Sequence, residues 1–179
     1  MGNAKVKGKV AAGGSTGGTI LGVDPGLNIT GYGVIRSTAG GIELLEAGII
    51  RTKAKASLER RLLDLHEGLG EVIAAHKPSV LALEQLYSHY KRPQTAILMG
   101  HARGVICLLA AQAGIAIESF EATRVKRMMT GNGHAPKDQM QMAVKLQLNL
   151  ATVPEPPDVA DALAIALCQQ QMSSMQVQL

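Results

Sequence analysis

From Thr19 onward the chain switches between two hydrophobic periods. Thr19–Asp24 (TILGVD) is a short apolar run stopped by Pro25-Gly26, which predicts a buried strand ending in a turn. Thr30–Ser37 (TGYGVIRS) and Ile42–Ile50 (IELLEAGII) flank Ala39-Gly40-Gly41, the signature of a hairpin. At Leu58 the period lengthens, and Leu58, Leu62, Leu65, Leu69, Val72 and Ile73 fall on one face of an amphipathic helix. Ser57 is its candidate N-cap, and His76-Lys77-Pro78 closes it. Val80–Leu86 predicts a second buried strand, a helix rich in small residues follows over roughly 94–112, and Ile115–Phe120 predicts a third. Three helices complete the chain: one around 121–129, one opened by Pro136 and running to about 149, and one opened by Pro157 and running to about 171. This order implies an α/β domain over 19–171. Its mixed five-stranded sheet joins antiparallel hairpin strands to parallel strands reached by right-handed crossovers, with helices on both faces. Residues 1–18, Gly-rich with Lys5, Lys7 and Lys9, are expected to form a disordered basic tail, and 172–179 a flexible C-terminus.

Composition narrows the classes. At 179 residues and 46% hydrophobic content the chain can bury a sizeable core, yet it holds one Phe, three Tyr and no Trp, so that core is aliphatic and methionine-rich. A net charge of +4 leans toward a polyanionic partner without identifying one. Cys107 and Cys168 lie far apart in apolar stretches with no C-x-x-C, which argues against a disulfide framework or a zinc site. They read as reduced, buried thiols of a cytoplasmic protein. The apolar stretch from Gly104 to Ile117 is broken by Gln112 and Gly114, so no membrane span is expected.

The acids carry the chemistry. Asp24 closes an apolar strand, where a carboxylate costs solvation energy unless it is paired, coordinated or at a mouth. That position, beyond the carboxyl end of a strand, is where ligands bind open α/β sheets. Glu84 repeats the pattern after Val80-Leu81-Ala82-Leu83. Asp158 and Asp161 share one face at the start of the last helix, roughly 5–6 Å apart at Cβ. Taken alone, that pair is an ordinary response to a helix dipole, and a single buried acid is usually a satisfied structural group. Four carboxylates in one pocket would repel, and a hard divalent cation such as Mg2+ would relieve that repulsion. Two such ions about 3.5–4 Å apart activate water and stabilise the leaving oxygen in phosphoryl transfer.

The segments ILGVDPGLNITGYGVI (20–35), LALEQLY (81–87), GHARGVI (100–106), TRVKRMMTGNGHAPKDQM (123–140) and PPDVADALAIAL (156–167) together resemble the bacterial RuvC family of crossover-junction endonucleases, in the family's order. The resemblance implies an RNase H-like fold and a homodimer that resolves four-way (Holliday) junctions by paired symmetric nicks, leaving 5′-phosphate and 3′-hydroxyl ends. It implies Mg2+, two ions per site, with Mn2+ as a substitute, and the RuvA–RuvB branch-migration complex as a partner. By motif position Asp24, Glu84, Asp158 and Asp161 are the metal-binding and catalytic acids, and Lys126 and Lys137 match basic residues serving DNA binding and cleavage. Tyr87 stands where the family often has a Phe thought to stack on a junction base; the hydroxyl and the following SHYKRPQ loop depart from the family's pattern.

Arg124, Lys126, Arg127 and Lys137 flank the flexible Thr130–His134 segment and could form a phosphate-binding strip, although a solvated helix face is the default for such charges. Lys91 and Arg92 beside Tyr87 and Tyr90 combine positive charge with aromatic faces, as suits distorted or single-stranded nucleic acid. Gly100 and Gly104 share one side of their helix; packing on the sheet is the first expectation, and a dimer contact the second. Three other readings stay open: a nucleotide-binding protein, since the loop after Asp24 also resembles the phosphate loop of actin-like and sugar-kinase folds; a non-catalytic junction-binding module; and a nuclease of the same fold that cuts hybrids or flaps.

Overall fold

The structure is a computed structural model that describes residues 5–7, 15–85 and 93–176. Six strands and five helices follow in order: β1 (Lys5–Lys7), β2 (Ser15–Asp24), β3 (Ile29–Thr38), β4 (Gly41–Arg51), α1 (Leu58–His76), β5 (Val80–Glu84), α2 (Pro93–Gln112), β6 (Ala116–Phe120), α3 (Ala122–Thr130), α4 (Lys137–Gln147) and α5 (Pro157–Gln176). The strands form one sheet in the order β1-β4-β3-β2-β5-β6. β2, β3 and β4 pair antiparallel, while β5 pairs parallel with β2 and β6 parallel with β5. These are the five strands and the mixed pairing that the sequence predicts. Three features differ at the ends. Lys5–Lys7, inside the expected tail, pairs antiparallel with β4 as a short edge strand, and β2 starts at Ser15 rather than Thr19. α5 also continues to Gln176, past the expected stop near 171.

Alternation along β2 sorts the two faces. Leu21 and Val23 join Val34, Leu81 and Leu83 in a core with Leu65, Leu69 and Val72 of α1 and Ile106 and Ala110 of α2. Ile20 and Ala82 point the other way, into a core built from Leu163, Ala166 and Leu167 of α5, Val125 of α3 and Met140 and Val144 of α4. Strand residues two apart share a face, so Asp24 continues the α5-facing row of Ile20 and Gly22, and Glu84 continues that of Ala82.

How closely α5 approaches the sheet depends on glycine. A Cβ at Gly22 would overlap the Ala162 carbonyl and stand 2.8 Å from Ala166 Cβ; one at Gly31 would stand 2.6 Å from the Asp158 carbonyl carbon. Gly31 is the register partner of Asp24. Bare backbone at these two positions therefore lets the first turn of α5 settle directly beside the end of β2. The glycines in L-G-V-D and T-G-Y-G are thus explained by a helix far from them in sequence that packs directly on their face of the sheet.

The turn after Asp24 is held from the α1 side. Thr30 Oγ1 donates to Gly26 O at 2.6 Å, and Thr52 Oγ1 donates to Leu27 O at 2.5 Å. Arg61, 8% exposed, donates Nε to Thr52 Oγ1 at 3.1 Å and Nη2 to the Asn28 side-chain oxygen. At the far end of α1, His76 lies 3.3 Å from Glu46, which accepts a 2.8 Å bond from Tyr32 Oη.

Candidate active site

Asp24, Glu84, Asp158 and Asp161 are brought together. Burial, first, and then the charges of Glu84, Asp161 and Asp158 push the Asp24 carboxyl up to about 8. Burial also raises Glu84, joined by the charge of Asp161 and opposed by its hydrogen bond with Asp24 and by Lys126. Asp161 is raised by burial and by Asp158, against the pull of Lys137 and Lys126. Each shift follows from crowding like charges in a place poor in water. The hydrogen bond between the two raises Asp24 and lowers Glu84, so a proton shared by the pair resides on Asp24, the donor, with Glu84 as acceptor.

Two lysines face these acids: Lys126 from α3, and Lys137, the first residue of α4. With Glu84 and Asp161 they line a cavity of about 170 Å³ whose floor is Val125, Met140 and Ile165. A larger cavity of about 450 Å³ lies at the opposite end of the sheet, lined by Gly17, Ser37, Ser79, Gln170 and Ser173 among others. It holds no titratable side chain, whereas the smaller one is lined by two acids and two lysines.

The other basic residues separate. The Arg124 guanidinium sits 5.9 Å from the centre of the Phe120 ring and donates to Met172 Sδ at 3.2 Å, so it covers α5 rather than facing the acids. Arg127 is exposed and lies against the loop at Gly133. Tyr87, Lys91 and Arg92 lie outside the described residues. Gly100 and Gly104 do not pack on the sheet as first expected: a Cβ at either would meet nothing within 4 Å. Exposed beside them are Ile97 and Leu108, at 59% and 52%. The segment Gln94–Gln112 is also long and apolar enough, by length and composition, to cross a membrane, with a mean hydropathy of 1.3, although the sequence pattern suggested no such span.

Sequence reasoning missed Arg61, which bonds Asn28 in the turn after Asp24, and Arg103, which bonds the main chain at Glu84 itself. Arg103 on α2 donates Nη1 to the Glu84 main-chain carbonyl and Nη2 to Ser119 Oγ at 3.0 Å. The available signal was an arginine in an otherwise uncharged helix, within GHARGVI.

The donor set suits a hard cation. All four candidate ligands are carboxylates, and burial together with the charges of Glu84, Asp161 and Asp158 raises Asp24, a repulsion that a bound cation would relieve. Among the described residues no three His, Cys, Asp or Glu side chains form a ready-made metal-holding group. The carboxylates are neighbours rather than a closed cage, and the Asp24–Glu84 hydrogen bond takes up part of the repulsion that a cation would neutralise.

Residues 20–169 match the protein family described as crossover junction endodeoxyribonuclease RuvC. The chain belongs to the RuvC family. A RuvC from Rhodopirellula baltica is 62% identical over 149 residues, covering 83% of this chain and 84% of the relative. One from Desulforamulus reducens is 41% identical over 87% of this chain and 94% of its own length. Thermus thermophilus RuvC, solved in complex with a Holliday junction substrate, superposes with a TM-score of 0.83 at 29% identity, covering 89% of this chain and 96% of that one. The yeast mitochondrial Holliday junction resolvase Ydc2 shares the fold alone, at 14% identity and a TM-score of 0.60, covering 82% of this chain and 75% of that one. The architecture is therefore the RNase H-like sheet of RuvC, with the acids at the carboxyl ends of β2 and β5 and at the start of α5.

Proposed function

We propose that the protein is a divalent-metal-dependent endonuclease that resolves four-way DNA junctions by paired, symmetric nicks. The observation that carries this reading is the convergence of four carboxylates from β2, β5 and α5, where burial and then the neighbouring acids push Asp24 up to about 8. Membership in the RuvC family supplies the substrate class. Asp24, Glu84, Asp158 and Asp161 would hold Mg2+, two ions per site, with Mn2+ as a substitute. Bound there, the ions supply the charge that activates water and stabilises the leaving oxygen.

The side chains divide the remaining work. Lys137 and Lys126 hold the scissile phosphate against the acids, with the Lys137 charge opposing the upward push of burial on Asp161. Val125, Met140 and Ile165 make the floor apolar, which excludes water and strengthens every charge interaction above it. Arg127 is an outer phosphate contact, while Tyr87, Lys91 and Arg92 reach the junction from the segment that follows β5. The outer face of α2, with Ile97, Gly100, Gly104 and Leu108, is the surface on which a second copy packs. That contact would cover the apolar stretch of α2 in a cytoplasmic homodimer and give two sites for two symmetric cuts. The RuvA–RuvB complex would deliver the junction.

The testing experiment compares labelled four-way junction, flap, duplex and RNA–DNA hybrid in Mg2+. Paired, ligatable nicks in the junction alone are expected, and equal cutting of hybrid or duplex would overturn the assignment.

A further inference from the structure

Glu84 is the last residue of β5, and the β2 ladder stops one residue before it, at the Val23↔Leu83 pair. On the β6 side Gln85 N still donates to Phe120 O at 2.8 Å. The Glu84 carbonyl therefore sits where the sheet gives out on one side, and the direction of that peptide sets where the Glu84 side chain points. A carbonyl so placed needs a donor. It receives one from α2, on the face of the sheet opposite α5: Arg103 Nη1 bonds Glu84 O, and Nη2 bonds Ser119 Oγ of β6 at 3.0 Å. One rigid fork thus spans the ends of two strands and closes them to each other from behind the acids.

The charges acting on the Glu84 carboxyl come from Asp161 and Lys126, on the cavity side. Arg103 grips the main chain instead. It has no carboxylate among its described ion-pair partners, and its hydrogen-bond partners are both neutral. A guanidinium committed to a carbonyl and a hydroxyl is poorly explained by charge balance. It is well explained by geometry, because only Arg offers two donors in a fixed plane.

We infer that Arg103 is a positioning residue for metal binding: it holds the Glu84 peptide so that the carboxylate meets those of Asp24 and Asp161 around the cation. This rests on the metal reading above. Groups that orient ligands without touching the metal typically change metal affinity or activity by about 10–100-fold when removed. Arg103→Lys keeps the charge and the stem but cannot bond both acceptors in one plane, and Ser119→Ala removes one leg of the fork at an exposed position.

The test measures Mn2+ binding by calorimetry on the uncomplexed protein, junction affinity by gel shift in Ca2+, single-turnover cleavage in Mg2+, and thermal melting. For Arg103→Lys we expect Mn2+ affinity and the cleavage rate at saturating junction each to fall about 10-fold or more, with rate partly restored at high Mg2+. Junction affinity and melting should stay within about 2-fold and a few degrees of wild type. Ser119→Ala should shift Mn2+ affinity in the same direction by less. Wild-type Mn2+ affinity in both variants would overturn the inference. So would a rate loss matched by equal losses in melting or junction binding, which would make Arg103 a packing or DNA contact. Failure of the wild-type protein to cut junctions would sink the nuclease reading instead, while the Mn2+ titrations would still decide the role of Arg103.

Discussion

Gly31→Ala tests how the site is assembled, because Gly31 touches no substrate and carries no side chain of its own. Its added Cβ would stand 2.6 Å from the Asp158 carbonyl carbon and 3.2 Å from Asp158 Cβ. Carbon atoms in ordinary contact stay about 3.5–4 Å apart, so the first turn of α5 must retreat by about 1 Å. Asp158 and Asp161 both ride on that turn, while Asp24 and Glu84 stay with the sheet. The substitution thus widens the gap between the two halves of the acidic cluster. A misplacement of about 1 Å can cost about 100-fold in rate, and overpacking of this kind costs about 1–3 kcal/mol of stability. Single-turnover cleavage of a labelled junction, run well below the melting temperature, should therefore slow about 100-fold. Junction binding should persist, since Lys126 and Lys137 belong to α3 and α4. Gly40→Ala, at an exposed hairpin turn where the nearest neighbour is 3.9 Å away, is the control and should cut normally. A Gly31→Ala enzyme with the wild-type rate would refute the claim that close approach of α5 builds the site.

Four further outcomes follow from the same geometry. Because the folded Asp24 carboxyl is pushed up to about 8 from 3.8, the native state binds the extra proton between those limits, so metal-free stability must fall as pH rises from about 4 to 8. Chemical denaturation in chelator checks this: Asp24→Asn should flatten the dependence and exceed wild type near pH 8 by a few kcal/mol, and a wild-type curve already flat would contradict it. Lys137→Ala removes the charge that holds Asp161 down, so the acid limb of the pH–rate profile should move to higher pH as the rate falls; an unmoved limb would separate Lys137 from Asp161. Lys126→Ala should weaken junction binding and reduce its salt dependence, whereas Arg124→Ala, whose guanidinium is taken up by Phe120 and Met172, should leave both near wild type. Ile97→Glu on the exposed face of α2 should give a folded monomer by light scattering that makes single, unpaired nicks; a dimer that still forms would move the interface elsewhere.

The sheet was legible because its strands are short apolar runs bounded by Gly and Pro, and α1 because its apolar positions recur at helical spacing. The acids were legible for a related reason. A carboxylate at the end of an apolar strand contradicts its surroundings, and Asp24 and Glu84 do so twice in one sheet. What the pattern could not convey was distance. Nothing local in GHARGVI distinguishes an arginine that reaches the Glu84 carbonyl from one in solvent, and nothing in RVKR separates Lys126, which faces the acids, from Arg124, which turns toward Phe120. Spacing along a helix gives the face a residue occupies, but which neighbour covers that face is a tertiary property. The same limit explains Gly100 and Gly104: small residues on one side of a helix announce close approach without saying to what, and here that side is open. The strand residues Lys5–Lys7 and Ser15–Gly18 were missed for the opposite reason. Gly and Lys weaken any strand signal, yet a sheet edge accepts such residues because backbone bonds alone extend it, as β1 does along β4.

The proposed activity requires Asp24, Glu84, Asp158 and Asp161 to hold jointly the divalent cations that support DNA cleavage. Anomalous diffraction from crystals grown with Mn2+ tests it most directly. Mn2+ density bonded to Asp24, with Glu84 and at least one α5 aspartate completing the coordination, at oxygen distances of about 2.0–2.4 Å, is the predicted result. Mn2+ bound elsewhere, or no site shared between a sheet carboxylate and an α5 carboxylate at saturating Mn2+, would contradict the account.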